Sequence, residues 1–254
     1  MTSMTFEPGI ALVLGGSGGI GAAICKRFAA CGCDVALTYR SNRARADALV
    51  AELESMGRRA WSFQVELAQP ESVKALFHSL GELPERVHTV VHSTGADISM
   101  AHVSKVETEE WIRTVDGDLN GFFHVVKAAL PALRKGGGSI VAITSAGILR
   151  HPPMDILSVA PKAGIEALVR AVAREEGRYG IRANSVAPGV VDSGLFHRLT
   201  PQVTPEFVEA MKRNTALCRF GTADEIANVA VFLASREAGY VTGQQIAVDG
   251  GFSV

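Results

Sequence analysis

Between an apolar run, Ile10-Ala11-Leu12-Val13-Leu14, and an amphipathic run that begins at Ile20 lies the stretch Gly15-Gly16-Ser17-Gly18-Gly19-Ile20-Gly21. This order of residues predicts a strand, a tight turn and a helix. Glycine lets the backbone turn sharply and approach a ligand with no Cβ in the way. The helix that follows aims free N–H groups and the positive end of its dipole at the same point. The combination is a cradle for a pyrophosphate, formed here by Gly15, Ser17, Gly18, Gly19, Ile20 and Gly21. A glycine-rich loop alone also fits an ordinary surface turn. The buried strand before it, the helix start after it and its place near the N-terminus are what a dinucleotide-binding fold needs.

A chain of 254 residues, 47% hydrophobic and 20% charged, can fill one core without disulfides or metals. One domain over residues 1–254 is expected. With 25 basic against 26 acidic residues and no long basic run, neither nucleic acid nor an anionic membrane is an expected partner. Cys25, Cys31, Cys33 and Cys218 include no pair of C-x-x-C units and read as ordinary small thiols, so no metal site is expected. No basic segment followed by an apolar core opens the chain, and no apolar run reaches membrane-spanning length. The expected location is the cytoplasm.

Strand and helix patterns alternate along the whole chain. A second strand, 34–39, ends in Tyr39-Arg40-Ser41. In dinucleotide folds this tip meets the adenosine ribose, where a carboxylate selects a free 2′-OH and Arg selects a 2′-phosphate. With Arg40 and Ser41 there and no acid, NADPH is the expected cofactor; the bland alternative is a solvated turn. Further helices are predicted over 44–56, 71–80, 108–133, 162–177 and 223–234, and further strands over 60–65, 87–91, 139–143, 182–186 and 245–248. A polar excursion over 192–214 is placed to cover a substrate. Such alternation implies right-handed crossovers and a Rossmann-type, doubly wound parallel sheet in the α/β class, with the ligand beyond the carboxyl ends of the strands.

From about Ile10 to Gly251 the chain resembles the short-chain dehydrogenase/reductase family. Its cofactor signature T-G-x-x-x-G-x-G is matched by Leu14-Gly15-Gly16-Ser17-Gly18-Gly19-Ile20-Gly21, with Leu in place of Thr. The family's adenine-contacting Asp-Val falls on Glu66-Leu67, and its Asn-Asn-Ala-Gly on His92-Ser93-Thr94-Gly95. Pro188-Gly189 matches the pair near the nicotinamide, with Val191 and Ser193 at the carboxamide positions, and Asp249-Gly250-Gly251 matches a C-terminal signature. The resemblance also implies a homotetramer, or failing that a dimer, joined through the helices at 108–133 and 162–177 and the C-terminal strand region.

The family's catalytic Asn, Ser and Tyr-x-x-x-Lys are matched only in part. Ser145 falls on the Ser and Lys162, the ribose anchor, on the Lys; Ser158 stands at the Tyr and Asp118 at the Asn. A Ser hydroxyl is shorter than a phenol and a far poorer acid. The 2,4-dienoyl-CoA reductases of the family also carry Ser-x-x-x-Lys, with an Asn two residues later, which here is Asn120; their displaced Tyr falls on Gly147. Some enoyl-acyl-carrier-protein reductases displace their Tyr as well. In conjugate reduction the product is an enolate, which needs hydrogen-bond donors at its oxygen more than an acid.

The resemblance implies Ser145 and Asn120 as donors to the substrate oxygen, Ser158 as an orienting group and Lys162 at the nicotinamide ribose. Two readings of Ser158 remain, because Pro161 favours a helix's first turn and Ser158 is then a candidate N-cap. Asp118 reads as a structural hydrogen-bonding residue or a solvated one. His92 and His151 are candidate proton donors near neutral pH. Met154 to Leu157 and Leu195 to Met211 suit a hydrophobic or acyl substrate or a subunit interface. The leading expectation is an NADPH-dependent reductase of a conjugated C=C in an enoyl or dienoyl thioester or enone. The alternatives are a 3-oxoacyl-type carbonyl reductase and a nucleotide-binding protein without redox activity.

Overall fold

Ile10–Leu14 (β1) is a run of five apolar residues with no polar side chain to offer water, and all five are fully buried at the middle of a sheet. Period-two alternation divides them between two cores. Ile10, Leu12 and Leu14 join one core, Ala11 and Val13 the other. The computed structural model describes residues 4–95, 97–194, 196–197, 200 and 203–254. Its other strands are β2 (Asp34–Tyr39), β3 (Ala60–Gln64), β4 (Val87–His92), β5 (Gly138–Ile143), β6 (Ile181–Pro188) and β7 (Gln245–Val248).

The order across the sheet is β3-β2-β1-β4-β5-β6-β7, and every neighbouring pair is parallel. The chain runs outward from β1 to β3, then returns to β4 and runs the other way. The reversal opens a crevice between the carboxyl ends of β1 and β4, where such sheets bind ligands. On one face lie α1 (Gly19–Ala30), α2 (Arg43–Ser55) and α8 (Ala223–Ala234), which contribute Phe28, Leu53 and Val231 to their core. On the other lie α3 (Pro70–Gly81), α5 (Gly121–Leu133) and α6 (Ile156–Glu176), with Leu76, Phe122 and Ile165. The α/β, doubly wound architecture is as expected from the sequence.

Two helical segments differ from the expectation. The span 108–133 is α4 (Thr108–Val115), a π-helical turn over Asp116–Asn120, and α5. The helix expected from residue 162 begins at Ile156, so Pro161 lies inside it and Asp155, not Ser158, is its N-cap. Proline there removes one hydrogen bond and costs about 3 kcal/mol. Burying Leu157 and Val159 in the added turn returns roughly 1.5–3 kcal/mol each, enough to keep the turn helical. In the excursion, α7 (Pro205–Arg213) is capped by Thr204, whose hydroxyl accepts from Phe207 N. Leu195 and residues 198–199 and 201–202 lie outside the described residues. No helix among the described residues is long and apolar enough to cross a membrane.

Candidate active site

The glycines after β1 form a turn closed against its own backbone. Gly15 has φ 70°, in the left-handed region that suits glycine, and its N–H donates to Thr38 Oγ1 at 3.0 Å. Gly18 N donates to Gly15 O at 2.9 Å, and a Cβ on Gly21 would press into that same carbonyl. At the start of α1, Gly18 supplies no side-chain cap and no acid occupies the first turn. The helix end is therefore open to an anion, with Ser17 and Ile20 beside it. A Cβ on Gly19 would strike Ser193 Oγ, so the segment after β6 closes over the cradle.

The other expected contact positions fall along the same carboxyl edge. A Cβ on Gly15 would lie 2.7 Å from Ser93 O and 2.9 Å from Thr94 Cγ2, which places the segment His92–Gly95 against the turn. Ser93 N donates to Leu14 O at 3.0 Å. Glu66 is half-buried and Leu67 buried just beyond β3. Gly189 N donates to Val248 O at 3.1 Å, and Val191 is buried and bridged to Gly221. At the tip of β2, Arg40 and Ser41 are exposed, and Gln64 Nε2 holds the Arg40 carbonyl at 2.9 Å. The Arg40 guanidinium has no hydrogen-bond or ion-pair partner among the described residues. These residues fit a dinucleotide: a cradle that any Cβ would fill, an uncapped helix end, and an unpaired cation at the ribose position.

Beyond β4 and β5 the site is made of side chains. Lys162 Nζ donates to Thr94 O and to Asp118 Oδ1, both at 2.9 Å. Lys162 is 6% exposed and Asp118 3%, so this is a buried ion pair. Burial pushes the Asp118 carboxyl up, but the Lys162 charge and the His92 contact outweigh it and hold Asp118 ionised. His92 Nε2 lies 3.0 Å from Thr94 Oγ1 and 3.5 Å from Asp118 Oδ1, and the ring packs on Phe122. Burial is the largest influence on His92 and keeps its imidazole neutral. Its Nδ1 is buried without a hydrogen-bond partner among the described residues.

Several expected roles change on these observations. Asn120 is exposed and its amide donates to Asp116 Oδ1 at 2.7 Å, so the structure does not bring it to Ser145 and Lys162. Asp118, on the opposite side of the π turn, is the residue that meets Lys162. His92 is sealed and neutral, hence no donor to a substrate, and His151 is exposed on the loop before α6. Ser158 is half-buried inside α6, one turn before Lys162, with no capping role. Ser145 is half-buried, and its Oγ accepts from Gly147 N at 3.1 Å. A Cβ on Gly147 would come within 2.7 Å of Val159 Cγ2 and 3.2 Å of Pro152 Cδ, so that position has no room for a displaced Tyr.

No tyrosine stands at Lys162. Tyr39 is buried at the end of β2; Tyr179 and Tyr240 are exposed near the opposite end of the sheet, before β6 and β7. Among the described residues no group of His, Cys, Asp and Glu could hold a metal. Burial pushes the Cys33 thiol up to about 12 and Cys25 upward as well, which leaves both unreactive.

A family model described as Enoyl-(Acyl carrier protein) reductase matches residues 15–253. The 3-oxoacyl-(acyl-carrier-protein) reductase FabG of Staphylococcus aureus is 34% identical over 242 residues, 95% of this chain and 96% of that protein. The chain belongs to the short-chain dehydrogenase/reductase family. L-rhamnose 1-dehydrogenase (NAD(P)(+)) of Sphingomonas sp. is 35% identical over 96% of this chain and 95% of its own length. Among solved structures, a short-chain type dehydrogenase/reductase from Mycobacterium ulcerans superposes with a TM-score of 0.91 at 30% identity, covering 98% of this chain and 91% of its own. A blue fluorescent protein from a metagenomic library, in complex with NADPH, superposes with a TM-score of 0.88 at 33% identity, over 98% and 99% of the two chains. As a short-chain dehydrogenase/reductase the protein is an oxidoreductase that uses a nicotinamide cofactor.

Proposed function

We propose that this protein is an NADP(H)-dependent carbonyl reductase of the 3-oxoacyl type. The observation that carries the reading is the Lys162–Asp118 pair, held on Thr94 O beside the glycine cradle at the carboxyl edge of the sheet, where Ser145 follows β5. Its resemblance over nearly its full length to 3-oxoacyl-(acyl-carrier-protein) reductases supports the carbonyl substrate over the conjugated alkene expected from Ser158. Bound NADPH supplies the hydride. Gly15, Ser17 to Gly21, Glu66, Leu67, Ser93 to Gly95, Pro188, Gly189, Val191 and Ser193 would hold it, with Arg40 and Ser41 at its 2′-phosphate.

The residues around the substrate oxygen divide the work by their free hydrogen-bonding capacity. Ser145 Oγ already accepts from Gly147 N, so its O–H is left to donate to a carbonyl oxygen and to the charge that develops there. Lys162 has three N–H donors; two are held by Thr94 O and Asp118, and the third is left for a ribose hydroxyl. Asp118 holds that ammonium in place. Ser158, one turn earlier on α6, orients the substrate. Exposed Leu149 and half-buried Met154, both on the segment between β5 and α6, offer apolar surface to an acyl chain.

Consumption of NADPH followed at 340 nm, with a 3-oxoacyl thioester and the matching 2-enoyl thioester as paired substrates, tests the reading. Turnover of the 3-oxoacyl compound is expected; turnover of the enoyl compound alone refutes it in favour of conjugate reduction. The same reading takes the protein to be a cytoplasmic homotetramer, for which light scattering at micromolar concentration gives four times the chain mass, and a monomer refutes it.

A further inference from the structure

Reducing a carbonyl requires a proton for the new oxygen–hydrogen bond, and the residues placed so far do not supply one. Ser158 is too weak an acid, His92 is sealed and neutral, and no tyrosine stands at Lys162. We propose that Asp155, at the entrance to α6, is the catalytic residue that gives the substrate oxygen its proton. This rests on the carbonyl-reductase reading above.

The placement follows from the helix. Asp155, Ser158 and Lys162 are spaced by three and then four residues, which puts them on one face of α6. Asp155 lies about 4.5 Å along the axis from Ser158. The first turn of α6 also meets Ser145: the point a Cβ on Gly147 would occupy is 3.1 Å from Ser145 Oγ, 3.2 Å from Pro152 Cδ and 2.7 Å from Val159 Cγ2. Ser145, the loop before α6 and the first turn of α6 are thus packed together, with Asp155 on the chain between Pro152 and Val159.

Asp155 also departs from what its position ordinarily demands. An N-cap aspartate normally accepts from the second or third free N–H of its helix and is held ionised by the dipole. Here the side chain makes no such bond. Ser158 N and Val159 N donate instead to the Asp155 backbone carbonyl, at 3.1 and 2.9 Å. The carboxyl has no hydrogen-bond or ion-pair partner among the described residues. Met154, directly before it, is held at φ 65°, a left-handed conformation that a non-glycine residue adopts only at a cost and that recurs at functional sites.

Burial pushes the Asp155 carboxyl up to about 7, and no charged neighbour contributes. Of the charged or titratable groups near it in the chain, the Arg150 guanidinium is turned to Phe252 O, His151 is exposed and Lys162 is paired with Asp118. Near pH 7 a large share of the Asp155 carboxyl therefore carries a proton. As hydride bonds to the carbonyl carbon, the C=O π pair becomes a lone pair on oxygen. The Asp155 O–H bond breaks and its proton bonds that oxygen. The electron pair stays on the Asp155 carboxylate, which takes a proton back from solvent.

Asp155→Asn keeps the side chain's size and removes its acid. With the 3-oxoacyl thioester, kcat should fall by about 10²–10⁴-fold, while NADPH binding without substrate, followed by fluorescence, stays unchanged. Asp155→Glu should recover part of kcat. Independently of turnover, the nucleotide-free protein with ¹³C-labelled aspartate should show one carboxyl resonance that titrates near pH 7 and is missing from Asp155→Asn. An Asp155→Asn enzyme within threefold of the parent kcat overturns the proposal and leaves the carbonyl reading standing, as does finding no aspartate that titrates above pH 5.5. If the unmodified protein reduces only the enoyl thioester, the carbonyl reading fails first and the proposal falls with it, whatever the resonance does.

Discussion

Around the β1–α1 turn the site is made of backbone. Around Lys162 it is made of side chains. In the first region the determinants are the absence of a Cβ at Gly15, Gly19 and Gly21 and the open end of α1, so each residue has a steric reason to be what it is. In the second, a buried ion pair, a sealed histidine and Ser145 hold positions by charge and hydrogen bonds. The backbone region can be occupied or spoiled but cannot easily be given a new role. The side-chain region can exchange one group for another and keep its shape.

The sharpest break should come from the backbone region. Gly21→Val drives a branched side chain into the Gly15 carbonyl, which cannot move without opening the turn. A loss of NADPH affinity of at least about a hundredfold by fluorescence titration, roughly 2.7 kcal/mol or more, is expected with near-native helix content. Unchanged affinity would show that the turn is not the phosphate cradle.

The side-chain region has its own weak point. Asp118→Ala leaves the Lys162 ammonium buried and unpaired, which typically costs 3–5 kcal/mol. Chemical denaturation should show that loss, and Asp118→Ala combined with Lys162→Met should recover most of it. If the double variant is no more stable than the single one, the pair is not what holds this part of the site.

A smaller effect separates the two cofactors. Arg40→Ala should weaken NADPH about ten- to a hundredfold, the worth of a charge-assisted bond of about 1.5–3 kcal/mol, and leave NADH unchanged. Equal losses for both cofactors would remove Arg40 from the 2′-phosphate.

The smallest effect is a pH dependence of stability. The folded Asp155 pKa, about 7, lies above the ordinary 3.8, so between these values the folded state holds a proton that the unfolded chain has released. Stability from this group is complete below pH 3.8 and declines to its minimum as pH rises through 7. Asp155→Asn should therefore melt close to the parent at pH 4 and measurably above it at pH 8. An equal melting difference at both pH values would mean that Asp155 is ionised throughout.

The same contrast explains what could be read from the sequence. The strand, glycine turn and helix, and the sheet they belong to, were legible because each depends on local composition: five apolar residues, a glycine cluster, then a helix. The partner of Lys162 depends on which side of a long helical segment faces inward. Thr114, Asp118, Phe122 and Val126 recur every four residues and all are buried, so a carboxylate in that stripe was a sign of a buried cation; Asn120 lies off it. The start of α6 was hidden by Pro161, which usually marks a first turn and here sits inside the helix, where buried Leu157 and Val159 offset its cost.

That stripe exists because of the π turn at Asp116–Asn120. In an ordinary α-helix, residues four apart advance by 400°, so a row of them precesses about 40° per step around the axis. Three steps from Thr114 to Val126 would swing the row by about 120°. The wider turn, with its i→i+5 bonds, takes back part of that drift and acts as a phase correction between two lengths of rod. Asp118 can then meet Lys162 while Phe122, one step further, lies under the His92 ring and Gly121 lies against Leu67. Deleting a single residue from the turn would rotate the remainder of the rod by about 100°. The rod would survive; its alignment with both neighbours would not.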